Sequence, residues 1–268
     1  MRLDYGTQIS PAPITLSIGT LKKPTLREIS ELTFDKFSYF EFLMKMTPEL
    51  YYTKLKVEYG KKYWDSIPED KRDAMTMYDI IISDESVRNS YLDLMNFFFV
   101  ETVIFSEDYF ILLKQGIADM NGLNPDNVRG AISKDLFGQV LEVMQQICCI
   151  YSEDESKENL KFKNALAKKL YEKMLKAEKE KNKKADLNLS LPNVISSLSN
   201  KHPSINYTNV WELTVFQLMD SFNRVQTNTM YEIDSTRVSV WGDEKKTFDF
   251  TLWYKNNYDK KSQSEKAD

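Results

Sequence analysis

The chain is short of the side chains that do chemistry: among its 268 residues there is one histidine, His202, and two cysteines, Cys148 and Cys149. Adjacent cysteines do not ordinarily meet disulfide geometry, which fits a reducing compartment. A structural zinc site takes four nitrogen or sulfur ligands and a catalytic one takes three, so Cys/His zinc centres are effectively excluded. Composition alone does not exclude a magnesium ion held by carboxylates. Eight glycines are sparse for backbone-cradled phosphate, and no Walker loop, GxGxxG or nucleophile elbow occurs. A net charge of −4 provides no global positive field, which argues against nucleic acid as a partner. Residues 1–15 lack the apolar run of a secretion signal. The most apolar stretch, residues 92–113, is interrupted by Asp93, Asn96, Glu101, Glu107 and Asp108. The expectation is a cytoplasmic protein with no membrane span.

What is present is apolar and aromatic. Hydrophobic residues make up 42% of the chain, enough for a real core, and 28% are charged. Residues 1–15 read as an extended arm with Pro11 and Pro13, followed by a strand-like alternation of Ile14, Leu16 and Ile18 that could pair with a partner's edge. Pro24 suits a first helical turn, with Leu26, Ile29 and Leu32 on one face. Thr33 restarts the pattern, and Thr47 with Pro48 reads as a cap and first-turn pair. Residues 63–72 read as a polar connection. Residues 84–96 read as helix, whereas Phe97, Phe98 and Phe99 favour strand. A hairpin turning at Ser106, Glu107 and Asp108 follows. Asn124, Pro125 and Asp126 should open another helix, and residues 133–151 form a strong one in which Cys148 and Cys149 are packing residues.

Residues 156–186, rich in lysine and glutamate, read as one long amphipathic helix with a solvated end. A short helix over residues 193–200 stops near His202 and Pro203. Asn209 and Glu212 resemble a capping box. Trp211, Val215, Leu218, Phe222 and Val225 then form an apolar stripe. The fold class is mainly α: a multi-helix, bundle-like body with a small β-hairpin and a C-terminal helical unit. The expected divisions are an arm over 1–23, a helical body over 24–185 with the hairpin near 97–113, a C-terminal helical unit over 186–258, and a disordered tail over 259–268.

No catalytic constellation emerges. His202 before Pro203 is more simply a capping group, and the neighbouring pairs Glu69–Asp70, Asp84–Glu85 and Glu107–Asp108 are better read as turns and helix starts. The chain therefore reads as a non-enzyme that needs no cofactor, and helical apolar faces are its most distinctive asset.

Two segments resemble a known group. Ile18-Gly19-Thr20-Leu21-Lys22-Lys23-Pro24-Thr25-Leu26-Arg27-Glu28-Ile29 is similar to the opening of proteins encoded in the tail-morphogenesis region of phages and prophages of Gram-positive bacteria. Asn209-Val210-Trp211-Glu212-Leu213-Thr214-Val215-Phe216-Gln217-Leu218-Met219-Asp220-Ser221-Phe222 and Val240-Trp241-Gly242-Asp243 resemble the same group. Its members look like tail assembly chaperones, which keep the tape measure protein soluble while tail tube subunits polymerise around it. That resemblance implies a protein partner, tape measure or tail tube, in the host cytoplasm, with neither catalysis nor a cofactor. Pro24, Leu26, Ile29, Trp211, Phe222 and Trp241 are the candidate partner-binding residues, with core packing the ordinary explanation for each. A structural virion component, a connector or tail-completion protein that forms homo-oligomers, is the alternative. A magnesium-dependent hydrolase or nuclease would be a third class, for which no motif is present.

Overall fold

A computed structural model describes residues 2–55, 60–114, 125–150, 187–244 and 247–255. The fold is mainly α, with a two-stranded and a three-stranded sheet, and the chain divides into two compact units, Met1–Ile150 and Tyr151–Asp268.

The first unit begins with a short helix where extended chain was expected. Asp4 accepts a hydrogen bond from the Thr7 amide at 2.8 Å and so caps α1, Tyr5–Ile9. The strand-like run pairs with its own chain instead of a partner: β1, Ile14–Thr15, lies antiparallel to β2, Thr20–Leu21. This segment is tied to the body through Lys23, whose buried ammonium donates to the Thr7 and Ser10 carbonyls, and through Leu3, whose amide donates to Gln146 at 2.7 Å.

Helix α2, Leu26–Leu32, starts two residues later than the proline suggested. Thr25 and Glu28 form a capping box, and Pro24 precedes the cap instead of occupying the first turn. Thr33 ends α2 and caps α3, Phe34–Met44. It holds a positive φ of 88°, an uncommon conformation for a β-branched residue. Thr47 caps a short helix α4, Pro48–Leu50, which runs on as a π turn over Tyr51–Leu55.

The expected polar connection over residues 63–72 is helical: α5 spans Gly60–Ser66 and α6 spans Glu69–Ala74. Trp64 supplies the anchor that periodicity did not reveal. It stacks on Tyr52 at 5.7 Å, with the Arg72 guanidinium 5.8 Å from its ring. Capping by Thr76 and by Asp84 then starts α7, Met77–Ser83, and α8, Glu85–Phe98. The latter runs through Phe97 and Phe98 despite their strand preference, because helical geometry places Phe97 against Phe37 and Phe40 and buries Phe98 completely. Tertiary packing overrides propensity here.

Strands β3, Val103–Ser106, and β4, Tyr109–Leu113, form the expected hairpin, with positive φ at Glu107 and Asp108 as a tight primed turn requires. A third strand, β5, Val128–Ile132, pairs with β4 after a 3-10 turn at Pro125–Asn127, where a helix was expected. Gly130 allows β5 to approach the Ile18 backbone, where a Cβ would collide with the Ile18 carbonyl. Helix α9, Lys134–Ile147, completes the unit. Cys148 is buried behind it, and Cys149 adopts a left-handed φ of 56° just past the helix. Aromatic rings fill the centre: Phe110 and Phe137 stack 6.2 Å apart, with Tyr78 and Tyr91 edge-on to Phe137. The Tyr78 hydroxyl lies 2.8 Å from both the Asp108 and the Ile132 carbonyls, and burial pushes its pKa up to about 12.

In the second unit a 3-10 turn at Leu187–Leu189 leads into α10, Leu191–Lys201, and then α11, Val215–Trp241. The capping box of α11 is Thr214 with Gln217, not Asn209 with Glu212. Asn209 instead closes the preceding loop, accepting from the Asn206 amide and donating to the Ser204 carbonyl, both at 2.8 Å. Its neighbours Val210–Glu212 make only a 3-10 turn. The expected helix over 156–186 and the expected tail over 259–268 lie outside the described residues.

Candidate functional site

The groups first considered for chemistry take structural positions. His202 ends α10, and its Nδ1 accepts from the Ser204 and Ile205 amides at 3.2 and 3.0 Å. Glu69 and Asp70 sit in the first turn of α6, Asp84 caps α8, and Glu107 and Asp108 form the hairpin turn. Burial raises the Cys148 thiol pKa well above its ordinary range, keeping it a neutral packing group. Among the described residues, no group of three or more His, Cys, Asp and Glu could hold a metal ion. No described helix is long and apolar enough to cross a membrane.

The second unit offers a different kind of site, an apolar groove of about 390 Å³ between α10 and α11. Ser197, Leu198 and Lys201 form the α10 side, and Phe222, Val225, Gln226, Thr229 and Met230 form the α11 side. The groove exists because α11 outruns its support. At 1.5 Å per residue its 27 residues extend about 40 Å, yet its buried residues are all in the first turns: Val215, Phe216, Leu218 and Asp220.

Helical geometry carries the groove onward. At about 100° per residue, Phe222, Gln226, Ile233, Arg237 and Val240 fall on one side of α11, with Met230 close beside them. Three of these apolar side chains are largely bare, Met230 at 61%, Ile233 at 63% and Val240 at 64% exposure, and Trp241 at the helix end reaches 77%.

The opposite side of α11 is covered by its own chain. After Gly242 ends the helix with a positive φ, Asp243 accepts from the Thr247 and Phe248 amides at 3.0 and 2.8 Å, turning the chain back. Phe248 then packs on Tyr231 with ring centres 5.5 Å apart, and Arg224 donates to the Lys255 carbonyl at 2.8 Å. The hydrogen bonds of that turn, chiefly the Phe248 amide, hold the Asp243 carboxyl below the usual carboxylate range. One face of α11 is thus occupied and the other is left bare.

The sequence-derived candidates separate along the same line. Pro24, Leu26 and Ile29 are buried inside the first unit, where they pack its core. Trp211 is half-buried in the 3-10 turn before α11, its indole N–H donated to the Tyr207 carbonyl at 2.9 Å. Phe222 lines the groove, and Trp241 stands exposed at the far end of the same helix. Sequence reasoning missed Leu198, Met230, Ile233 and Val240. The signal of the last three was present in the spacing of three and seven residues from Met230 to Ile233 to Val240, but Arg237 interrupts it.

The comparisons with known proteins fall on this unit. A family model described as the YomV second domain matches residues 179–258, which include both helices of the groove and the segment folded back on α11. The match associates this part of the chain with a phage domain family of Bacillus prophage type. No curated protein and no solved structure matches the chain.

Proposed function

We propose that this chain is a phage tail assembly chaperone that holds another polypeptide, the tape measure or tail tube protein, in the host cytoplasm while the tail is built, and that it catalyses no reaction and uses no cofactor. The observation carrying this reading is the groove between α10 and α11 with its continuation over Met230, Ile233 and Val240. A contiguous apolar surface of this kind suits a partner's helix, and its position within the phage-associated segment supports a role in particle assembly. A tape measure is a very long helix with apolar faces, and a groove flanked by polar residues would shield part of such a face from self-association.

Co-expression with the products of flanking genes tests the proposal. The expected outcome is that a long helical product becomes soluble and co-purifies with this chain, which is then absent from purified particles by mass spectrometry. Finding this chain in particles at fixed copy number would overturn the chaperone role in favour of a connector or tail-completion protein. Failure to solubilise any flanking product would overturn it as well.

A further inference from the structure

Beyond its buried first turns, α11 is a poor helix by its own sequence. Over residues 221–241, thirteen of twenty-one side chains are β-branched or are serine, asparagine or aspartate, and neither alanine nor leucine occurs. Such residues lose rotamer freedom in a helix or compete with its backbone for hydrogen bonds. Thr227, Thr229, Thr236 and Ser239 each donate to the carbonyl four residues back. The Asp234–Arg237 ion pair, at 3.2 Å, is half-exposed, and pairs of that kind add little. A helix with this composition holds only where a face of it packs, yet α11 is helical to Trp241.

The face that packs is not the groove face. Arg224, Thr227, Tyr231, Ser235 and Val238 recur every three or four residues and are half-buried, whereas Met230, Ile233 and Val240 on the other side are exposed. Along the half-buried face lie the contacts of the chain that folds back after Gly242. The Gly242 amide donates to the Val238 carbonyl at 2.8 Å, and the Asp243 carboxylate holds the Thr247 and Phe248 amides. Phe248 packs on Tyr231 and is met edge-on by Phe250, ring centres 4.6 Å apart, while Arg224 reaches the Lys255 carbonyl. From Arg224 to Val238 these contacts span about 21 Å, or four helical turns.

We infer that the fold-back segment, through Asp243, Phe248 and the Lys255 carbonyl, is a brace that keeps α11 helical beyond its buried turns. The groove and its continuation over Met230, Ile233 and Val240 are therefore formed before a partner arrives. Asp243 and Phe248 are positioning residues, whose contacts are with Tyr231 and with the fold-back segment itself, across the helix from the groove. A partner that meets a formed helix does not have to order it, so the brace raises affinity without touching what is bound. The effect on affinity rests on the partner-holding reading, and the brace itself does not.

The test is hydrogen exchange on the full chain without a partner. Phe248→Ala should speed exchange of the amides over residues 226–241 by at least about tenfold, while α10 and residues 215–220 keep their protection. Asp243→Ala should act in the same way, and Phe248→Tyr, which keeps a ring on Tyr231, should exchange as the wild type does. Unchanged exchange over 226–241 in the two alanine variants would overturn the inference. So would equal acceleration across α10 and residues 215–220, because the segment would then belong to the core of the unit. The flanking product that co-purifies with the wild-type chain serves as the binding probe. Phe248→Ala should weaken its binding by at least about fivefold. Wild-type affinity beside accelerated exchange would overturn the claim that the brace prepares the groove. If no flanking product binds the wild-type chain, the partner-holding reading fails, and the exchange result still decides for or against the brace.

Discussion

The two units handle their apolar residues in opposite ways. In the first, aromatic rings from α3, α7, α8, α9 and β4 meet one another, and Phe37, Tyr91, Phe98 and Phe110 are shut off from water. In the second, α11 buries only its first turns, and the apolar residues beyond them line a groove or face solvent. A ring enclosed on all sides stabilises the fold it sits in. A bare side chain on a projecting helix contributes little to folding, so its hydrophobicity is available for association. The contrast places the enclosed aromatic core in the first unit and, on the function proposed above, partner binding in the second.

Substitutions should sharpen that division. The largest effect is expected from Phe110→Ala, which removes a fully buried ring touching Tyr78, Phe105 and Phe137. A loss of roughly 3–5 kcal/mol should appear as lowered hydrogen-exchange protection across β3, β4 and β5. Thr214→Ala comes next. Losing the capping box that starts α11 should cost about 1 kcal/mol, read as faster exchange in the first turns of α11 with the first unit unchanged.

A pH effect of modest size belongs to the first unit. Burial raises the pKa of Glu41, with Lys45 only partly offsetting it. The folded state therefore binds this proton more tightly than the unfolded chain does. The resulting contribution is complete below the ordinary glutamate range and is lost as pH rises through the raised value. Glu41→Gln should remove that loss, so the variant should gain stability over the wild type at neutral pH and lose the advantage in acid. Denaturant titrations at two pH values, followed through the first unit, would show it. The smallest folding effect should come from Ile233→Ala, a change within about 0.5 kcal/mol by the same exchange measurement. A loss comparable to that of Phe110→Ala would erase the distinction between the units.

Much of the helical architecture was legible because it depends on local chemistry. Thr33 and Thr47 announce helix starts through side-chain oxygens that accept from amides three residues on, and Glu107 with Asp108 marks the hairpin turn. Errors arose where distant contacts decide. Phe97 and Phe98 look like strand until Phe37 and Phe40 are placed beside them, and Trp64 makes a helix of a polar stretch by meeting Tyr52. Pro125 looked like a helix start, yet the chain beyond it pairs with β4 along a register that only the fold supplies. The candidate site was half visible. Phe222 and Val225 follow from the periodicity that begins at Val215, but the opposite wall, Leu198, belongs to another helix, and no spacing along the chain predicts that meeting. Leu26 and Ile29 were read correctly as an apolar face, and the face is turned into the core.

Hydrogen exchange on the complex isolated by co-expression tests the central claim most directly. If the bare face of α11 is where a partner is held, protection relative to the free chain should rise over residues 222–241 and 197–201, leaving the first unit unchanged. Protection gained only in the first unit, with 222–241 exchanging as in the free chain, would contradict the account.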